Sequence, residues 1–195
     1  TSYDATLINN TGLIFQLPFG SGRKFGAGWH PVLKGVLGGW EISTMSAARS
    51  GLPTNVIYTP PTTMDVTGRL AEWRGGAQQR PNLVGDPRRP AGADMVRQYW
   101  NRAAFALPPV HSPFGNLGRN AFRGPNFWQW DAGVNKRFAL PFREGMALQF
   151  RSEFFNILNR SNFLWPIGDI QAAGFGTITG TFAPREIQFA LKLLF

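Results

Sequence analysis

Apolar and polar residues alternate with period 2 along five segments of the chain, the pattern of strands whose two faces meet different surroundings. The clearest runs from Met146 to Leu158. Met146, Leu148, Phe150, Ser152 and Phe154 share one face, and Ala147, Gln149, Arg151 and Glu153 share the other. A second spans Trp128 to Phe138, setting Trp128, Trp130, Ala132, Val134 and Phe138 against Gln129, Asp131, Asn135 and Arg137. In a third, Ile187, Phe189, Leu191, Leu193 and Phe195 oppose Gln188, Ala190 and Lys192. Weaker alternation runs from about Gly39 to Ala48 (Trp40, Ile42 and Thr44 against Glu41 and Ser43) and from about Ala5 to Leu17. The pattern predicts an all-β, antiparallel fold of five strands.

The three clearer segments are about 9 to 13 residues long, beyond the five or six usual for a soluble strand. About 9–11 residues cross a bilayer at a tilt. Charges sit in mid-strand on the polar face: Glu41, Asp131, Arg137, Arg151, Glu153 and Lys192. In a soluble sandwich that face meets water, and in a large barrel it lines a wet lumen; the alternation is compatible with both. Connection lengths are more telling. Residues 139–145 make a tight turn, and residues 18–38 a medium, Gly-rich connection. About eighty residues, 50–127, separate the next pair of strands, and about 26 separate the last. Short turns on one side and long loops on the other are the asymmetry of an outer-membrane barrel. With the tight turn on the periplasmic side, Trp40, Phe138 and Phe195 fall near one membrane interface. Trp128, Trp130 and Phe154 fall near the other, so two aromatic girdles are predicted.

Composition agrees with this. The chain has 17 Phe and 7 Trp, with 23 Gly and 15 Pro, and Gly and Pro disfavour helix interiors. No apolar run approaches the roughly 20 residues of a membrane-spanning helix. Cysteine is absent, which removes disulfides, thiolate metal sites and Cys nucleophiles. The sequence opens on Thr-Ser-Tyr without a visible signal peptide, and reads as part of a longer protein.

A net charge of +9 raises the question of an anionic partner. Arg69, Arg74, Arg80, Arg88, Arg89, Arg97, Arg102, Arg119 and Arg123 are spread over the long connection. A nucleic-acid interface concentrates its cations on one element among exposed aromatics, so nucleic acid is not the expected partner. Loop arginines suit lipopolysaccharide phosphates or an anionic ligand.

The catalytic signals are weak. Gly20-Ser-Gly-Arg-Lys-Phe-Gly26 lacks the Gly-Lys-Ser/Thr of a phosphate loop, and with Pro31 and Gly35 following, a turn without a helix is expected. His30 and His111 are far apart and without a carboxylate cluster. Asp131 and Glu153 are expected in salt bridges with Arg137 and Arg151. No enzyme, metal or cofactor is expected. Asp94 to Ala104 carries an N-cap and a Met95/Tyr99 spacing that predict a short helix.

The last ten residues, Glu-Ile-Gln-Phe-Ala-Leu-Lys-Leu-Leu-Phe, resemble the terminal strand read by the barrel-assembly machinery, which makes Phe189, Leu191, Leu193 and Phe195 the candidate assembly signal. Further stretches occur in order: Gln16-Leu-Pro-Phe-Gly20, Leu37-Gly-Gly-Trp-Glu41, Arg49-Ser-Gly-Leu-Pro53 and Arg80-Pro-Asn-Leu-Val-Gly-Asp-Pro87. Then come Phe114-Gly-Asn-Leu-Gly-Arg-Asn120, Arg123-Gly-Pro125, Phe150-Arg-Ser-Glu-Phe-Phe-Asn-Ile-Leu-Asn159 and Phe175-Gly-Thr-Ile178. With these the chain is similar to the C-terminal third of TonB-dependent, Oar-like receptors of the carboxypeptidase-regulatory-like type found in Acidobacteria. The resemblance implies a barrel of about 22 strands with an N-terminal plug, energised by the TonB complex and taking up an oligosaccharide, siderophore or peptide. The plug and most strands are missing from this sequence. The competing expectation is a soluble β-sandwich that binds carbohydrate or another ligand through its loops.

Overall fold

A computed structural model describes residues 3–60, 78–109 and 114–195. The expected loop residues Arg69, Arg74 and His111 lie outside these. Contacts divide the chain into two units, one of residues 7–49, 127–162 and 183–195, the other of residues 1–6, 50–126 and 163–182.

The first unit is a sheet. Its strands are β1 (Ile8–Gln16), β2 (Trp40–Arg49), β7 (Phe127–Ala139), β8 (Ala147–Phe155) and β9 (Glu186–Leu194). They stand in the order β1-β2-β7-β8-β9 with every neighbour antiparallel. The numbers between β2 and β7 belong to four short strands of the other unit. The five alternating segments are therefore the five strands, with ends within about three residues of those expected. Outside β1 and β9 no strand pairs with this sheet among the described residues.

The tight turn between β7 and β8 is closed by Leu140 N–H to Met146 O at 2.9 Å and Met146 N–H to Arg143 O at 3.1 Å. Gly145 there has φ 83°, open to glycine at no steric cost. Between β1 and β2 the structure corrects an expectation: helix α1 (Pro31–Leu37) follows the Gly-rich turn. Pro31 does not interrupt it, because at the first helical position its missing N–H has no intrahelical partner to lose. His30 is the N-cap, its Nδ1 accepting from Val32 N–H at 3.4 Å.

The second unit is assembled from residues of the two long connections. Its strands are β3 (Pro53–Thr54) with β6 (Phe122–Arg123), and β4 (Asn82–Leu83) with β5 (Phe105–Ala106). The described residues of the expected irregular loop 50–127 are thus folded. Val56, Tyr58, Trp100, Ala104, Phe105, Leu117 and Ile170 form its buried core, with Phe122 and Phe175 packed against it. Trp100 stacks on Phe175 at 5.6 Å, and Phe105 meets the Phe175 and Phe122 rings edge-on at 5.5 and 5.7 Å. Each such pair contributes about 0.5–1.5 kcal/mol beyond area burial. The Arg80–Pro87 and Phe114–Asn120 motifs pack on one another. Gly115 N–H donates to Arg80 O at 3.0 Å, and Arg80 Nε donates to Leu117 O at 2.9 Å. A side chain at Gly115 would meet the Pro81 carbonyl at 2.2 Å, which requires glycine there.

The helix expected over 94–104 is shorter than read. Asp94 does cap a turn, its Oδ1 accepting from Val96 N–H at 2.6 Å and Arg97 N–H at 3.2 Å. These bonds hold its carboxyl below the ordinary carboxylate range. The turn stops after one cycle because Tyr99 N–H pairs with Gly176 O at 2.8 Å and Trp100 bridges to Arg88. Only residues Arg102–Ala104 then turn again, as a 3-10 helix.

Candidate membrane-spanning sheet

Register carries one face of a strand onto its neighbour, since directly paired residues point the same way. Trp40 pairs with Lys136, Lys136 with Phe150, and Phe150 with Leu191. Two residues along, Ile42, Val134, Ser152 and Phe189 align, and then Thr44, Ala132, Phe154 and Ile187. Leu13 and Phe15 of β1 join the same face. This face is therefore mainly apolar across five strands, with Lys136, Ser152 and Thr44 as polar members. The other face carries Glu41, Asn135, Arg151 and Ala190 in one row and Ser43, Gly133, Glu153 and Gln188 in the next. Asp131, Arg137 and Lys192 fall on it too. All six charges read as lumen-facing lie on the polar face.

The salt-bridge expectation holds for one carboxylate only. Arg151 donates to Glu153 along the same strand. Asp131 is bonded differently: its Oδ1 accepts from Asn156 N–H at 2.8 Å and from Gln129 Nε2 at 2.8 Å. The reason is strand length. β7 outruns β8, which pairs only residues 132–139 of it, so residues 127–131 need other partners on that side. Asn162 supplies them to Trp128, accepting from its N–H and donating to its carbonyl, both at 2.9 Å. Ile157 N–H donates to Trp130 O at 2.8 Å. Asn156, buried and with φ 50°, donates to Arg160 O at 2.9 Å and Ala183 O at 3.3 Å. Sequence reasoning missed these asparagines, whose signal was present in the run Asn156, Asn159 and Asn162 just after a strand.

The aromatic residues divide between the two ends of the apolar face. Trp40 and Phe138 stand beside the tight turn, with Phe195 just past β9. Trp128, Trp130 and Phe154 stand toward the other end. Trp128 Nε1 donates to Ser46 Oγ at 3.3 Å and Trp130 Nε1 to Thr44 Oγ1, so their polar atoms are satisfied on a face that otherwise has few donors. On β9, Phe189 and Leu191 are 70% and 69% exposed. Phe150 covers one side of Phe189 at 6.5 Å, and their outer side is open.

Lys136 is the residue that alternation should have flagged. It falls on the apolar face between Trp40 and Phe138, its ammonium 5.0 and 4.8 Å from the two ring centres. It is 3% exposed and donates to Val36 O at 2.7 Å and Gly38 O at 2.5 Å. These carbonyls at the end of α1 have no intrahelical partner, and a cation there is doubly favourable.

Among the described residues no three His, Cys, Asp or Glu side chains come together as a metal site. No helix among them is long and apolar enough to cross a membrane, which says nothing of crossing by strands. A family model described as an outer membrane beta barrel domain matches residues 1–188. No curated protein and no solved structure matches the chain.

Proposed function

Because the chain belongs to the outer membrane beta barrel domain family, and with it to the bacterial outer membrane, we propose that its sheet is one stretch of the wall of a larger TonB-dependent receptor barrel that takes up a ligand. The observation that carries this reading is the two-faced register: five adjacent strands with Glu41, Asp131, Arg137, Arg151, Glu153 and Lys192 on one side and, apart from the carbonyl-bound Lys136, a mainly apolar surface on the other. The apolar face meets lipid and the polar face lines the lumen. Five strands fall short of the roughly eight of the smallest barrels, so β1 and β9 pair with further strands. In hydrocarbon an open edge leaves backbone groups unsatisfied at several kcal/mol each. On this reading Phe189, Leu191, Leu193 and Phe195 of β9 and its end are the surface offered to the barrel-assembly machinery.

β2 leaves and β7 returns at paired residues, Arg49 and Phe127, so the long connection departs from and rejoins the sheet at the same end. That end is external, and its arginines meet lipopolysaccharide or the arriving ligand. The ordered motifs shared with Oar-like receptors support TonB-driven uptake of an oligosaccharide, siderophore or peptide. A sandwich is not favoured, since among the described residues the other two sheets have two strands of two residues each, too short for the facing sheet that a sandwich needs.

Orientation is tested in intact cells with a membrane-impermeant maleimide. Ala91→Cys in the second unit reacts at once, and Glu144→Cys in the tight turn reacts only after the outer membrane is permeabilised. The opposite order overturns the orientation. Uptake is tested with labelled members of the three ligand classes, where accumulation disappears in cells lacking TonB. Undiminished accumulation would remove TonB from the reading.

A further inference from the structure

Residues 18–38 join β1 to β2 at the end of the sheet that holds the tight turn. They include Arg23, Lys24 and Lys34 and no acidic residue. Within them, Val32, Leu33, Val36 and Leu37 fall on one side of α1 at 3.6 residues per turn. All four are exposed, Val32 at 64%, while Lys34 on the opposite side is half-buried. A helix on a water-facing surface turns its polar side outward. This one is reversed.

The helix is tied to the apolar face of the sheet. Trp40 Nε1 donates to Val36 O at 2.9 Å, and Lys136 Nζ donates to the same oxygen at 2.7 Å. Trp40 and Lys136 are a directly paired couple on that face. Phe19 lies 6.0 Å from Phe25 and 6.1 Å from Trp29, ring centre to ring centre, so aromatic rings gather at the level where Trp40 ends the strand. Arg23 donates to Gln16 Oε1 at 2.7 Å and the Lys24 ammonium lies 5.4 Å from the Phe25 ring centre, and these two with Lys34 are the cations of the segment.

We propose that residues 18–38 are an interfacial anchor lying in the periplasmic leaflet of the outer membrane, with the apolar side of α1 among acyl chains and Lys24 and Lys34 at phospholipid phosphates. Aromatic rings and snorkelling lysines are the residue types that stabilise such a position, and Leu37 of the exposed side lines one open cleft with Trp40, Ile42 and Val134 of the sheet's apolar face. Apolar burial and attraction to anionic headgroups act together in interfacial helices. The proposal rests on the barrel reading and on the orientation given above.

The test uses the intact protein reconstituted in vesicles of phosphatidylethanolamine and phosphatidylglycerol, with a nitroxide on single cysteines at Leu33→Cys, Val36→Cys, Gly35→Cys and Leu191→Cys. Gly35 has open space for a side chain and faces away from the apolar side. Leu33 and Val36 labels are expected to collide with oxygen more than with a water-soluble nickel chelate, as the Leu191 label does, while the Gly35 label favours nickel. Nickel-dominated collisions at Leu33 and Val36, with Leu191 still in lipid, overturn the anchor and leave the barrel reading standing. That outcome also covers a periplasmic protein as the true neighbour, since the vesicles contain none. Nickel-dominated collisions at Leu191 as well overturn the lipid-facing assignment, and the anchor with it.

Discussion

The Lys136 ammonium lies 2.7 Å from the main-chain carbonyl of Val36, a hundred residues earlier in the chain. It joins a mid-sheet strand to the last turn of a helix, and it allows a cation to occupy an apolar face because its charge is met by carbonyls and ring faces rather than left bare. Lys136→Met keeps most of the packing and removes both donations. The expected result is faster hydrogen exchange over residues 31–38 with β7 unchanged, and a loss of about 1.5–3 kcal/mol for hydrogen bonds to a charged group. Equal exchange in both proteins would show that the tether is idle.

Asn162 completes the strand that β8 leaves short. Asn162→Ala strands both the N–H and the carbonyl of Trp128, at about 1–3 kcal/mol for each buried group left unsatisfied. Urea unfolding of the reconstituted protein is the measurement, and an unshifted midpoint would refute the assignment.

Phe189 and Gln188 are adjacent, exposed and on opposite faces of β9, so they discriminate the faces without repacking a core. Phe189→Arg places a charge in lipid and is expected to cost about 2–4 kcal/mol if at the bilayer midplane. Gln188→Arg stays within about 0.5 kcal/mol. Similar costs for the two would mean that the faces are misassigned.

Deletion of Phe195 from the intact protein removes one aromatic of the proposed assembly surface while sparing every paired residue of β9, which ends at Leu194. The folded, heat-modifiable yield in outer membranes is expected to fall sharply. An unchanged yield would place the assembly signal elsewhere.

Asp94 provides a pH test in the second unit. Its carboxyl is held low by the Val96 and Arg97 N–H groups, so its contribution is present above the ordinary carboxylate value and is lost as pH falls through the lowered one. Asp94→Ala should therefore speed exchange of the Val96 and Arg97 amides at neutral pH. The difference from the parent should close in acid, and a pH-independent difference would contradict the cap.

Strand positions and faces were legible because alternation is a local property: each residue's face follows from the pleat, whatever strand comes to lie beside it. β8 (Ala147–Phe155) and β7 (Phe127–Ala139) show this, each keeping its two faces in the structure apart from Lys136. α1 was missed because Pro31 was read as a breaker, although Pro is suited to the first helical position. The Asp131 partner was missed because it depends on how far β7 outruns β8, a matter of register between strands.

What the sequence determined by itself is the sheet, since period 2, strand length and turn chemistry act over a few neighbouring residues. What only the tertiary structure decided is the second unit and the tether on Lys136. Tyr58, Trp100, Phe105, Phe122 and Phe175 stand in segments with no period, and they form a core only when residues of two separate connections meet. Lys136 finds its carbonyls only when a helix a hundred residues away folds back. Contacts of that separation are set by three-dimensional packing, for which a linear pattern carries no signal.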